Sequence, residues 1–264
     1  MSDAAPHPTV TAGRLFGPRW RLRTGAGHPP AYAQIEDRIG ERIASATVAA
    51  GDRLPAEREL ADALQVSRTT VRQALVSLHQ RGLVERGVGR GTFVAPPKVA
   101  HDRTRLAGFT EQLDRVGLEP GAEVVHVATE EAGDAGDAVA AALDLAPGDW
   151  VTHVRRVRHG GGLPLTLESF WVPVAVAPKL ADADLTGSLY TLLAAEYEAG
   201  PVSSVESLEP VLARSHEAAL LRVPEGSPLM RVERIARTAA GVPVEYARDL
   251  HRGDRARFVI EAGP

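Results

Sequence analysis

The chain has 264 residues, of which 44% are hydrophobic and 24% charged, with 25 Gly and 19 Pro. That length favours two domains, and the composition excludes collagen-like, coiled-coil and wholly disordered chains. No window approaches the roughly 18 apolar residues of a membrane span and no basic-then-apolar leader opens the chain, so a cytoplasmic protein with no membrane partner is expected. The absence of Cys removes disulfides, thiol nucleophiles, iron–sulfur clusters and Cys-ligated zinc.

The formal net charge of −4 hides an asymmetry. Residues 1–98 carry 14 Lys and Arg against 9 Asp and Glu, whereas residues 99–264 carry 16 against 25. A basic module joined to an acidic one predicts that the first meets a polyanion such as DNA.

Residues 1–28 mix Pro, Gly and Thr with Arg14, Arg19, Arg21 and Arg23 and show no apolar period, which predicts a disordered tail. A solvated leader and an arm reaching for DNA phosphates are the two readings of it. Ile35, Ile39 and Ile43 recur every four positions and predict an amphipathic helix over about 31–46. A second, short helix opens in LPAERELA at 54–61, where Glu57 and Glu59 favour its positive end. Ser67 is the expected N-cap for a third, in which Val71, Ala74, Leu75 and Leu78 form the buried stripe and Gly82 supplies the stop. Leu83–Arg86 and Thr92–Val94 then bracket a glycine-rich turn at 87–91 tipped by Arg90. Three helices and a hairpin predict a winged helix-turn-helix over 29–94. Ala95-Pro96-Pro97-Lys98 begins a semi-rigid linker, set at 95–104.

The remainder, 105–264, alternates strand and helix signals without a fixed period, which fits an α+β domain with a mostly antiparallel sheet. Helices are expected at 104–116, 136–144, 187–198 and 215–221. Strands are expected at 122–128, 150–158, 163–173, 202–212, 228–238, 242–250 and 256–261. Glycines at 160–162 and 241 mark hairpin turns.

In the third helix Arg68, Thr69, Arg72 and Gln73 lie off the apolar stripe, free to face a major groove. Arginine reads guanine O6 and N7 in a bidentate manner, and the hydroxyls of Ser67, Thr69 and Thr70 suit phosphates near a helix N-terminus. Arg58 adds a base or phosphate contact, and the glycines around Arg90 let backbone approach a groove closely. An ordinary solvated helix face explains any one of these residues but not the helix, the spacing and the arginine-tipped turn together.

Tyr32–Val94, with LPAERELA at 54–61, SRTTVRQAL at 67–75 and GRGTF at 89–93, resembles the winged helix-turn-helix of the GntR family of bacterial transcription regulators. The resemblance implies DNA contacts at Arg58, Ser67, Arg68, Thr69, Thr70, Arg72, Gly89, Arg90 and Gly91, and a homodimer on a palindromic double-stranded operator.

In the second domain, strand alternation puts Arg156 and Arg158 on one face, where they form either an anion clamp or part of a solvated sheet surface. Whether Glu168 joins them depends on the parity of the 160–162 loop: an odd loop pairs Arg158 with Pro164 and brings Glu168 to the same face, and an even loop turns it away. GFTEQL at 108–113, RRVR at 155–158, LESF at 167–170, GSLY at 187–190, PVEYARDL at 243–250 and RGDRARF at 252–258 resemble the UTRA ligand-sensing domain of the HutC subfamily, a fold similar to chorismate lyase. That resemblance implies a small anionic effector held by Arg156 and Arg158, with Thr110 near the anion and Glu168, Ser188 and Glu245 on polar groups. Two departures bear on the choice of ligand: Gly108 stands where Ser is common, and His251 where Tyr is common. No catalytic residue, metal site or cofactor is expected. HExxH and G-x-S-x-G are absent, and Lys179 is the only lysine after the linker. The rival readings are a lyase-like enzyme domain tethered to DNA and a ligand-independent DNA-binding protein. The reading that unites the motifs is a repressor released by its effector.

Overall fold

The computed structural model describes residues 9–87, 89–102 and 108–261. It divides into two compact units, Met1–Lys98 and Val99–Pro264.

The first unit contains the helices α1 (Ala12–Phe16), α2 (Ala31–Ala44), α3 (Glu57–Leu64) and α4 (Arg68–Gln80), then the antiparallel hairpin β1 (Val84–Gly87) and β2 (Gly91–Val94). The periodic residues face inward. Ile35 and Ile39 of α2 join Leu60 of α3 and Val71, Ala74, Leu75 and Leu78 of α4 in one core with Leu54 and Val84. Burial of each large side chain contributes about 1.5–3 kcal/mol.

The expected tail is corrected for residues 9–28; residues 1–8 lie outside the described residues. Thr9 bridges to Arg53, Val10 N donates to Arg53 O at 2.8 Å, and Thr11 caps α1. Leu15 is fully buried and Phe16 nearly so, in the same core as Ile35 and Leu60. Beyond the helix, Gln34 exchanges two hydrogen bonds with the backbone of Arg23, both at 2.9 Å. Val10, Leu15, Phe16, Trp20 and Leu22 follow no helical or strand period, because the partner for each is supplied by another element rather than by one shared face.

The second unit contains β3 (Val99–Asp102), α5 (Phe109–Arg115), β4 (Pro120–Glu131), α6 (Ala132–Ala135), α7 (Asp137–Ala142), β5 (Trp150–Gly160), β6 (Leu163–Pro173), α8 (Leu189–Tyr197), β7 (Ser203–Leu212), α9 (Ser215–Leu221), β8 (Pro228–Arg237), β9 (Pro243–Arg252) and β10 (Ala256–Val259). Six strands form an antiparallel sheet in the order β4-β5-β6-β9-β8-β7, and β10 pairs with β3 in parallel. The expected linker is thereby corrected, since Val99–Asp102 is a strand of this unit; residues 103–107 lie outside the described residues. The helix expected over 104–116 is described from Phe109.

Both faces of the sheet are covered. Val154, Phe170 and Ala247 pack with Leu189 and Leu193 of α8, while Val157 and Leu167, of opposite parity, pack with Ala218 and Leu221 of α9. The solvated-surface reading of Arg156 and Arg158 is therefore excluded: they share the face of Val154 and are 4% and 1% exposed. The loop expectation is also corrected. Gly160 pairs with Leu163, so the turn is an even one of two residues, Gly161 and Gly162. A bulge at Leu165 restores the parity, so Arg158 lies opposite Thr166 rather than Pro164, and Arg156 lies opposite Glu168.

Candidate functional site

Two sites emerge, one in each unit. In the first, α4 begins with Ser67 Oγ accepting from Thr70 N at 3.1 Å, and the two hydroxyls of these residues lie 2.8 Å apart. Arg68, Thr69, Arg72 and Gln73 are exposed, as are Arg58 on α3 and Gly89, Arg90 and Gly91 at the hairpin tip. Arg58, Arg68, Gly89 and Gly91 line one open groove with Arg53 and Arg86, which the sequence reading did not single out. Gly89 and Gly91 have φ of +70° and +112°, and a Cβ on Gly91 would stand 2.8 Å from Arg53 Nε. The glycines thus set the turn and leave Arg53 its place in the groove. Arg90 lies over the Phe93 ring, 5.9 Å from its centroid.

Arg72 is drawn to a different partner. Its guanidinium donates to Glu57 at 3.0 Å, and that hydrogen bond holds the Glu57 carboxyl below its ordinary range. Arg86 lies 3.9 Å from the same carboxylate. A DNA-facing Arg72 must leave or share Glu57.

The second site is a polar pocket between the sheet and the segments carrying α5 and α8. Thr110, Arg156, Arg158, Glu168, Ser188 and Glu245 all line it. Arg156 Nε donates to Glu168 Oε2 at 2.6 Å, and one of its terminal nitrogens reaches Leu185 O and Gly187 O. Arg158 donates to Gly187 O at 2.9 Å and to Thr110 Oγ1 at 2.6 Å, with Phe109 under its guanidinium. Arg158 Nε is buried without a hydrogen-bond partner among the described residues. Burial pulls Arg158 below the usual arginine value. At Glu168, burial acts to raise the pKa, but the charges of Arg156 and Arg158 outweigh it and hold the carboxyl below its ordinary range. Ser188 caps α8, and the first residues of that helix line the pocket with the arginines.

Glu245 sits at the other end of the pocket, where Arg234 grips both its oxygens at 3.0 and 3.2 Å and Tyr190 Oη donates at 2.8 Å. Asp249 is 3.2 Å from Arg234. Burial raises the Tyr190 hydroxyl well above its ordinary value. Arg234, Tyr190 and Asp249 were missed in the sequence, although alternation on β9 puts Glu245, Asp249 and His251 on one face, and that signal was present. His251 Nδ1 lies 2.9 Å from Thr166 Oγ1. A Cβ on Gly108 would come within 3.3 Å of Ser188 Oγ, so the Ser common at that position would crowd the helix cap.

Comparison with known proteins decides what these sites belong to. The UTRA domain family matches residues 115–257, more than half the chain, and the family of bacterial regulatory proteins named gntR matches residues 31–94. The chain belongs to the GntR family.

Within that family it has the HutC-type arrangement of a DNA-binding domain joined to a UTRA domain. It is 32% identical over 231 residues to the transcriptional repressor NagR of Bacillus subtilis, covering 87% of this chain and 93% of that protein. The histidine utilization repressor of Pseudomonas putida is 34% identical over 237 residues, covering 89% and 92%. The crystal structure of PhnF from Mycobacterium smegmatis superposes with a TM-score of 0.62 at 31% identity, covering 89% of this chain and 99% of that one. This GntR protein is a DNA-binding transcription regulator rather than an enzyme. None of its helices among the described residues is long and apolar enough to cross a membrane.

Proposed function

We propose that this GntR regulator is a homodimeric repressor, released from a palindromic operator when a small anionic metabolite enters the UTRA pocket. One observation carries the reading: two guanidiniums, at Arg156 and Arg158, are buried side by side, and Arg158 keeps a buried N–H without a partner among the described residues. A buried arginine needs a counter-charge, and Glu168 serves Arg156 in that role. The effector's anionic group takes over as the counter-charge and satisfies Arg158, which frees Glu168 to accept hydrogen bonds from the effector's hydroxyl or amine groups. The open space between the side chains is about 40 Å³, room for a few waters and too small for a sugar phosphate or an amino acid. Binding therefore moves pocket walls.

That rearrangement is what couples the sites, because a ligand shifts an equilibrium only by its differential affinity for the two states. A coupling of about 1–3 kcal/mol corresponds to roughly 5- to 150-fold in operator affinity. At the DNA, Arg68 and Arg58 read base edges, Ser67, Thr69 and Thr70 hold phosphates, and Gly89, Arg90 and Gly91 place the wing. Arg72 joins once it leaves Glu57.

The test is a thermal-shift screen of the purified protein against phosphorylated sugars, amino-acid derivatives and phosphonates. A compound that raises the melting temperature is then titrated into protein bound to a genomic duplex that it selects. Release of the duplex is expected from the parent and not from Arg158→Gln, which binds the duplex equally well. Full release from Arg158→Gln contradicts the pocket assignment.

A further inference from the structure

The arginines of the N-terminal segment take no part in either site above. Between residues 4 and 35 the chain carries Arg14, Arg19, Arg21 and Arg23 and not one Asp or Glu. All four are exposed, and none lies within ion-pair distance of a carboxylate among the described residues. Asp37 and Glu41 border a hollow with Arg19, Arg21 and Arg23, but Glu41 is engaged by Arg38 at 2.9 Å. The segment is not a loose leader: buried Leu15 and Phe16 fix α1 in the core, Arg42 donates to Leu15 O at 2.9 Å, and Gln34 ties down Arg23. A charged segment whose backbone is already held in one place has only its side chains left to order when a polyanion binds it.

Its two ends mark where it lies. At one end Val10 hydrogen-bonds the backbone of Arg53, the residue whose side chain packs against Gly91 of the wing and lines the basic groove with Arg58 and Arg68. At the other, Trp20, Arg21 and Leu22 border a hollow with Leu64, at the end of α3, and Gln65, in the turn that leads into Ser67 and α4. The segment thus runs from the base of the wing to the start of the helix that faces the groove. The GntR match begins at residue 31, so the family resemblance assigns nothing to it.

We propose that residues 9–23 form a prefolded phosphate-binding arm, which grips the duplex backbone beside the half-site through Arg14, Arg19 and Arg23. The inference rests on the DNA reading of α4 and adds a sequence-independent contact to it. Guanidiniums that neutralise phosphates release counterions, so each contact adds about 0.9 to the slope of log K against log salt. Contacts to backbone alone carry no base preference.

The experiment compares full-length protein with the triple variant Arg14→Gln, Arg19→Gln, Arg23→Gln, and with the corresponding triple Lys variant. Arg21 is left in place because it also bonds Pro18 O and Trp20 O. Affinity for a random-sequence duplex and for a genomic duplex that the protein selects is measured by fluorescence anisotropy across a KCl series. The Gln variant is expected to lose at least one unit of slope on both duplexes, with its ratio of selected to random affinity unchanged, and the Lys variant is expected to restore the slope. A Gln variant with the parent's slope overturns the arm. So does a loss that Lys does not repair, which would mark a structural effect. Arg68→Ala separates the two readings: it is expected to lower the selected-to-random ratio while keeping the random-duplex slope within one unit. If the parent shows no preference between the duplexes, the α4 reading itself fails, and the arm stands or falls on the slope of the random duplex alone.

Discussion

In the DNA-binding unit Arg58, Arg68 and Arg90 stand in solvent with no carboxylate at ion-pair distance among the described residues, whereas Arg156 and Arg158 of the UTRA unit are buried at 4% and 1% exposure. Under the proposed function, the same side chain serves two kinds of anion recognition. An exposed guanidinium meets a polyanion that brings many charges and sheds its own counterions, so desolvation is small and salt sensitivity is large. A buried one must already have its charge answered inside the protein, and a ligand gains only the difference between itself and the resident carboxylate. The first arrangement suits a long partner held by many weak contacts. The second suits a small molecule whose arrival must rearrange the protein.

That contrast can be broken most forcefully at Arg156. Arg156→Ala leaves Glu168 buried without its 2.6 Å partner and is expected to destabilise the UTRA unit by about 3–5 kcal/mol. The melting transition of that unit falls, and adding Glu168→Gln recovers part of the loss. Equal stability of Arg156→Ala and the parent would show that the pair is not a charge-compensated core element. Arg58 replaced in the same way is expected to leave melting unchanged.

Next in size is Gly91→Ala. The backbone there has φ of +112°, and the new Cβ meets Arg53 Nε at 2.8 Å. Strain of about 1–3 kcal/mol is expected, read as weaker duplex binding in anisotropy with an unaltered melting transition of the UTRA unit. Unchanged DNA affinity would mean that the wing does not contribute.

A pH-dependent effect is expected at His153, on the α9 side of the sheet and away from the pocket. Burial, His126 and Arg155 push its pKa down to about 4, although Glu130 lies 3.6 Å from Nδ1. A pKa below the ordinary value of 6.5 means that the folded state binds a proton less readily than the unfolded chain. The residue's stabilising contribution is therefore complete above about pH 6.5 and is lost as pH falls toward 4. In urea titrations His153→Gln is expected to lose less stability than the parent across that window. Parallel curves would remove His153 as the source.

The smallest effect is expected at Glu57→Gln. Its ion pair with exposed Arg72 contributes little to stability, so melting is unchanged. Removing a negative charge from the groove's edge and freeing Arg72 is expected to tighten duplex binding and steepen its salt dependence. Weaker binding would show that Arg72 is positioned by Glu57 rather than diverted by it.

The same contrast explains what was legible in the sequence. Local rules set α4: the stripe at Val71, Ala74, Leu75 and Leu78, the cap at Ser67 and the stop at Gly82 all lie within one stretch, so both the helix and its exposed arginines could be read. The pairing of Arg156 with Glu168 depends on a bulge at Leu165, which leaves no mark in the period-two pattern. Arg234 and Tyr190 come from strands and helices far apart in the chain, and nothing in β8 alone distinguishes Arg234 from Arg231 or Arg237. The segment at 9–23 was hidden for a related reason: Leu15 and Phe16 have core partners in α2 and α3, and a helix of five residues is too short to show a period.

The most direct test of the DNA reading is a selection of genomic fragments by the purified protein at moderate salt, run in parallel with Arg68→Ala. The account predicts that the protein enriches a small set of fragments sharing a short inverted repeat, and that Arg68→Ala weakens binding to them by about 1–3 kcal/mol while relaxing base preference within the repeat. Equal recovery of genomic and random duplex by the parent protein would contradict it.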